Sequence, residues 1–188
     1  MHRITRRHVI ATIAGTGTAV LCPALLNAQQ TLDWGGASTE EPIGHDRLIT
    51  AEAGPVSVDV TDLAPGEVAV VARPTDDPEY SATGNTQYIA IHHRTDAQVS
   101  FGEANDRPGS VHDPRYFVVN LVCTHRGKAI GITGNPDAPF ACTDRRGRHS
   151  SDYNASGLGV AGASDGEYLS IPDYALIASG GQVVLELA

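Results

Sequence analysis

The chain has 188 residues, three cysteines and a formal charge of −9, a length that suits one domain with an export segment. Residues 1–30 carry three arginines and no acid, so the remainder sets ten basic residues against 22 acidic ones, a net −12. Such a surplus of carboxylates excludes nucleic acid as a general partner, because phosphates are repelled from most of the surface. Aromatics are few while Gly and Pro are many, a composition that leans toward short strands joined by turns.

The N-terminus reads as a twin-arginine export signal. Thr5-Arg6-Arg7-His8-Val9-Ile10 precedes the mildly apolar run ATIAGTGTAVLCPALL, the order of a basic start followed by an apolar stretch. Leu26-Asn27-Ala28 offers a cleavage point. Left uncut, residues 9–26 are about long enough to stay in the inner membrane as an anchor. Either way the destination is the periplasm, and Cys22 belongs to the export segment. Residues 1–28 are therefore signal or anchor, and residues 29–55 show no sustained apolar period and read as a linker.

From Val56 onward short apolar or alternating runs are separated by turn signals: VSVDV, EVAVVA, QYIAIH, YFVVNLV, YLSI, and ALIA with QVVLEL across Ser179-Gly180-Gly181. The last pair predicts a hairpin. No long amphipathic helix is legible, so the expected fold class is all-β over residues 56–188, with antiparallel sheets. Residues 73–86 and 102–115 are polar and rich in Pro and Gly, and are expected to be surface excursions. His45, His92, His93 and His112 fall in linker, strand-end or loop positions that suit structural roles.

Two short boxes hold the chemistry-bearing residues. The strand Tyr116–Val122 runs into Cys123-Thr124-His125, and a second box contains Cys142 and His149. Two thiols and two imidazoles in two loops at one end of a β domain suit a metal centre, and Cys₂His₂ is a good tetrahedral zinc set. In an oxidising compartment the same two cysteines also suit a simple disulfide. Arg126, Lys128, Arg145, Arg146 and Arg148 lie within or between the boxes, giving an acidic body a basic tip.

YFVVNLVCTHRGK and FACTDRRGRHSSDYNASG resemble the two cluster-binding boxes of the Rieske iron–sulfur proteins, especially those of cytochrome bc complexes. The family's boxes read Cys-Thr-His-Leu-Gly-Cys and Phe-x-Cys-Pro-Cys-His-Gly-Ser-x-Tyr-Asp-x-x-Gly. Sixteen residues separate His125 from Cys142, which matches the family's spacing, and VSVDVTDLAPGE and YIAIHHRTDAQV are similar to its base-domain strands. The resemblance covers most of residues 56–175. It implies a Rieske fold with a small cluster-binding subdomain, about residues 117–163, at one end. It implies one [2Fe–2S] cluster held by Cys123 and Cys142 on one iron and by His125 and His149 on the other. Ser151 and Tyr153 match the hydroxyls that hydrogen-bond a bridging sulfide and the first-box thiolate.

By the same resemblance the chain is an electron-transfer subunit of a quinol–cytochrome c reductase rather than a stand-alone enzyme. Its partners are a cytochrome b-type membrane subunit, quinol and a c-type cytochrome, and His149 is the catalytic residue that meets the quinol. The departures are as informative. Cys142 and His149 have six residues between them where the family has two, so Thr143-Asp144-Arg145-Arg146 reads as an insertion. Aligning Arg146 with the ligand cysteine instead leaves a three-ligand site; Cys142 keeps the sixteen-residue spacing. Lys128 and Arg148 stand where the family has a loop disulfide, whose loss costs about 2–4 kcal/mol in the chain-entropy account. Arg126 replaces an apolar shield, and Gly162-Ala163-Ser164-Asp165-Gly166 stands for a proline-rich loop. The competing expectation is a clusterless or zinc-binding module of the same fold that takes an acidic or anionic partner at its basic tip.

Overall fold

The computed structural model describes residues 44–143 and 150–188, so the N-terminal segment read as an export signal lies outside the described residues. The described chain is mostly β, with eleven strands: β1 Arg47–Thr50, β2 Val56–Asp59, β3 Val68–Pro74, β4 Thr86–His93, β5 Tyr116–Asn120, β6 Gly131–Ile132, β7 Phe140–Thr143, β8 Ser150–Tyr153, β9 Gly159–Gly162, β10 Tyr174–Ser179 and β11 Gln182–Leu187. They form three sheets with orders β1-β3-β4-β5, β10-β11-β2 and β6-β7-β8-β9. All pairings are antiparallel except β1 with β3. Among the described residues no helix is long and apolar enough to cross a membrane.

The β1-β3-β4-β5 sheet is the central layer. Its inner strands are near-continuous apolar runs because both faces are covered, and successive side chains serve opposite cores. Val68, Val70, Tyr88, Ala90, Phe117 and Val119 share one core with Ile132, Phe140 and Tyr153 of the β6–β9 sheet. Ala69, Val71, Ile89, Ile91 and Val118 share the other with Val58, Leu185 and Leu187 of the β2–β10–β11 sheet. A one-residue slip of β3, β4 or β5 would exchange every side chain between the two cores.

Several elements differ from the sequence reading. β1 falls inside the stretch read as a linker; its four residues alternate half-buried and exposed on a parallel edge, too short a pattern to stand out locally. Asp96–Asn105 is an α-helix, α1. Its start is a capping box: Thr95 Oγ1 accepts the Gln98 N–H and Gln98 Oε1 accepts the Thr95 N–H at 3.0 Å. The helix buries only Gln98 and Gly102, so it carries no apolar stripe for periodicity to detect. YLSI, read as a strand, contributes an isolated bridge from Tyr168 to Leu158 and the buried Leu169. The hairpin is present, with β10 and β11 joined by Gly180-Gly181.

Arg94, just past β4, joins the layers. Its side chain has 0% exposure, and its guanidinium makes a two-pronged pair with Asp106 at 2.8 and 2.7 Å. The same group donates to the Ala155 carbonyl at 2.7 Å and lies 4.6 Å from the centre of the Phe117 ring. One cation thereby ties the end of α1 to the turn after β8. His93 stacks on Tyr116 and His112 on Tyr174, while His92 is buried edge-on to Phe140.

Replacing Arg94 by Met is expected to cost about 3–5 kcal/mol, because the Asp106 carboxylate loses its cation in a mostly dry site; urea unfolding measures the loss. His92 supplies a pH test. Burial, then the charges of Arg94 and His93, depress its pKa to about 4. An unfolded histidine binds protons near 6.5, so the folded state resists protonation. Stability is full above pH 6.5 and falls as the pH drops toward 4, by about 3 kcal/mol in all. His92→Leu is expected to flatten that part of the stability profile relative to the native chain.

Candidate functional site

The site is built on the core that β3, β4 and β5 share with the β6–β9 sheet. Leu121 and Val122 continue β5 as buried residues into Cys123. There the chain turns tightly: the Cys123 carbonyl accepts from Arg126 and Gly127 N–H at 3.2 and 2.7 Å, and the Cys123 N–H donates to Lys128 O at 2.8 Å. Thr124, His125, Arg126 and Lys128 are thereby exposed while the Cys123 sulfur points inward. On the other side Cys142 lies within β7, opposite Ser151 of β8. Alternation along β8 then places Ser151 and Tyr153 on one face, both buried.

Cys123 and Cys142 are both buried and neither is in a disulfide. Tyr153 Oη donates to Cys123 Sγ at 3.6 Å, and Ser164 Oγ lies 3.8 Å from the same sulfur. Thr124 Oγ1 is 3.4 Å from Tyr153 Oη. The Cys142 thiol and the His125 backbone N–H also hydrogen-bond the Cys123 sulfur. These donors hold the Cys123 thiol far below its usual range. The Cys142 thiol contributes most, followed by Tyr153, the His125 N–H and Ser164, and together they outweigh burial, which acts the other way. Burial pushes the Tyr153 phenol up to about 12, so at neutral pH it keeps its proton and remains a donor.

Of the residues singled out in the sequence, Cys123, Cys142, Ser151 and Tyr153 come together in this core. His125 contributes its backbone N–H there and sits on the exposed turn. His149 lies outside the described residues, as do Arg145, Arg146, Arg148 and most of the Thr143–Arg146 insertion. Among the described residues no three His, Cys, Asp or Glu side chains gather as a metal site. The described donors do fit half of one: two adjacent buried sulfurs, one biased toward the thiolate that ligates metal. An open groove lined by Arg107, Ser110, His112 and Tyr174 contains none of these groups.

Ser164 is the residue that sequence reasoning missed. The sequence reading gives it no role beyond its place in the segment that stands for a proline-rich loop, yet it is fully buried and its N–H donates to Ser151 Oγ at 3.2 Å. The glycines at 162 and 166 carry the only local signal, since they mark a tight turn rather than a loose one. No protein-family model and no curated protein matches the chain.

Gly162 makes this turn possible. Its φ is +84°, and a Cβ there would lie 1.6 Å from the Ser150 carbonyl oxygen. Gly162→Ala is expected to cost at least about 2 kcal/mol through strain and loss of the β8–β9 pairing, read by thermal unfolding.

Proposed function

We propose that this chain is a Rieske-type electron-transfer protein of the periplasm, the iron–sulfur subunit of a quinol–cytochrome c reductase-type complex. The observation that carries the reading is the pair of buried, hydrogen-bonded sulfurs of Cys123 and Cys142, with Tyr153, Ser164 and the His125 N–H converging on Cys123. A structural disulfide needs no such ring of donors. A sulfur that keeps negative charge in a dry core does.

In this reading Cys123 and Cys142 would hold one iron and His125 and His149 the other. When bound, a [2Fe–2S] cluster with two neutral imidazole ligands supplies one-electron transfer at a potential well above that of a four-thiolate cluster. The protein's part is electrostatic. Tyr153 keeps its proton and directs it at the Cys123 sulfur, which favours the form with one more electron. His149 would be the residue that hydrogen-bonds a quinol hydroxyl and takes up its proton. The exposed Arg126 and Lys128 add positive charge beside the Cys123 turn, which acts in the same direction. A cytochrome b-type membrane subunit would complete the quinol site, and a c-type cytochrome would receive the electron. The basic N-terminal segment, which supports twin-arginine export, would keep the chain at the inner membrane if it stays uncut.

Chain matured through its own export route is expected to be coloured, with two irons and two acid-labile sulfides per molecule and a Rieske-type electron paramagnetic signal on reduction. Colourless protein with a Cys123–Cys142 disulfide, or protein carrying zinc alone, overturns the reading in favour of a binding module with a basic tip. In the assembled complex His149→Gln is expected to abolish quinol oxidation while the fold persists; undiminished turnover removes His149 from that role.

A further inference from the structure

Ser164 is an anomaly in its surroundings. Its neighbours Ala161–Ala163 and Asp165–Glu167 are all exposed, whereas Ser164 has 0% exposure. Hiding a serine at the centre of a polar turn is unfavourable unless its groups find partners. They do. Its N–H donates to Ser151 Oγ at 3.2 Å, and its carbonyl accepts the Glu167 N–H at 3.0 Å. That carbonyl packs so closely on Gly159 that a Cβ there would lie 1.9 Å from it. The Gly166 N–H closes the turn onto Gly159 O at 2.9 Å. The Ser164 backbone is thus held on both sides, and its hydroxyl is delivered to a point 3.8 Å from Cys123 Sγ.

We infer that Ser164 is a positioning residue for the Cys123 sulfur, whose hydroxyl stabilises negative charge there and so sets how readily the site accepts an electron. The inference rests on the reading of Cys123 as a cluster ligand. A hydroxyl has one proton to give, and two acceptors lie within its reach, Cys123 Sγ and Tyr153 Oη. Donation to the sulfur acts directly. Donation to Tyr153 polarises the phenol that itself donates to the sulfur at 3.6 Å, so both routes have the same sign. Ser151, by accepting the Ser164 N–H, keeps its own O–H for a further acceptor. Three hydroxyls from two segments therefore act as one connected group.

The test is a redox titration of cluster-loaded full-length chain, native against Ser164→Ala and the hydroxyl-retaining Ser164→Thr. Losing one hydrogen bond to a charged acceptor is expected to move the one-electron equilibrium about tenfold toward the oxidised form in the Ala variant. At 59 mV per tenfold this lowers the midpoint potential by about 60 mV. The Thr variant is expected to stay near the native value. Native loading with an unchanged potential in Ser164→Ala overturns the inference alone, as does a Thr variant as low as the Ala variant. Native protein that takes up no iron overturns the proposed function and this inference with it. Where the native chain loads but a variant folds without iron, the carbon-13 chemical shift of Cys123 Cβ in cluster-free protein decides: it moves in Ser164→Ala, and an unmoved shift overturns the inference.

Discussion

The structure turns on the hydrogen bonds that converge on one buried sulfur, that of Cys123. A thiolate removed from water is unfavourable unless hydrogen-bond donors replace the solvent. Around Cys123 those donors come from four places: its own turn, the thiol of Cys142, the phenol of Tyr153 and the hydroxyl of Ser164. No single segment could supply them. Each backbone constraint nearby, from the tight turn after Cys123 to the close approach of Gly162 to Ser150, places one of these donors.

That convergence needs a rigid support, which the central sheet provides. β3, β4 and β5 are covered on both faces, so their register is held by two cores at once. Cys123 and Cys142 are themselves members of one of these cores, packed with Phe117, Phe140 and Tyr153. Arg94 extends the support by joining α1 to the turn after β8, close to the point where β9 leads toward Ser164. A buried cation in such a place contributes more to fixing the arrangement than to net stability.

The electrostatics support the proposed electron-carrier reading over a plain cross-link. Donors aimed at sulfur lower the energy of its charged form, and the exposed Arg126 and Lys128 on the adjoining turn add to the same field.

The sequence by itself determined the β-rich character, the Gly180-Gly181 hairpin and the residue types on which chemistry depends. All three are local properties: apolar runs, turn residues, and the presence of two thiols in two short boxes. Only the tertiary structure decided what those residues do together. β1 exists because β3 offers an edge, and α1 begins at a capping box rather than along an apolar stripe, so neither left a periodic trace. The β7–β8 register set Cys142 opposite Ser151, and Ser164 became part of the site because a turn closed by Gly162 and Gly166 folds it back beneath β8. Such contacts join residues from nine to 41 positions apart, and their energy comes from exclusion of water, which no short stretch of chain can express alone.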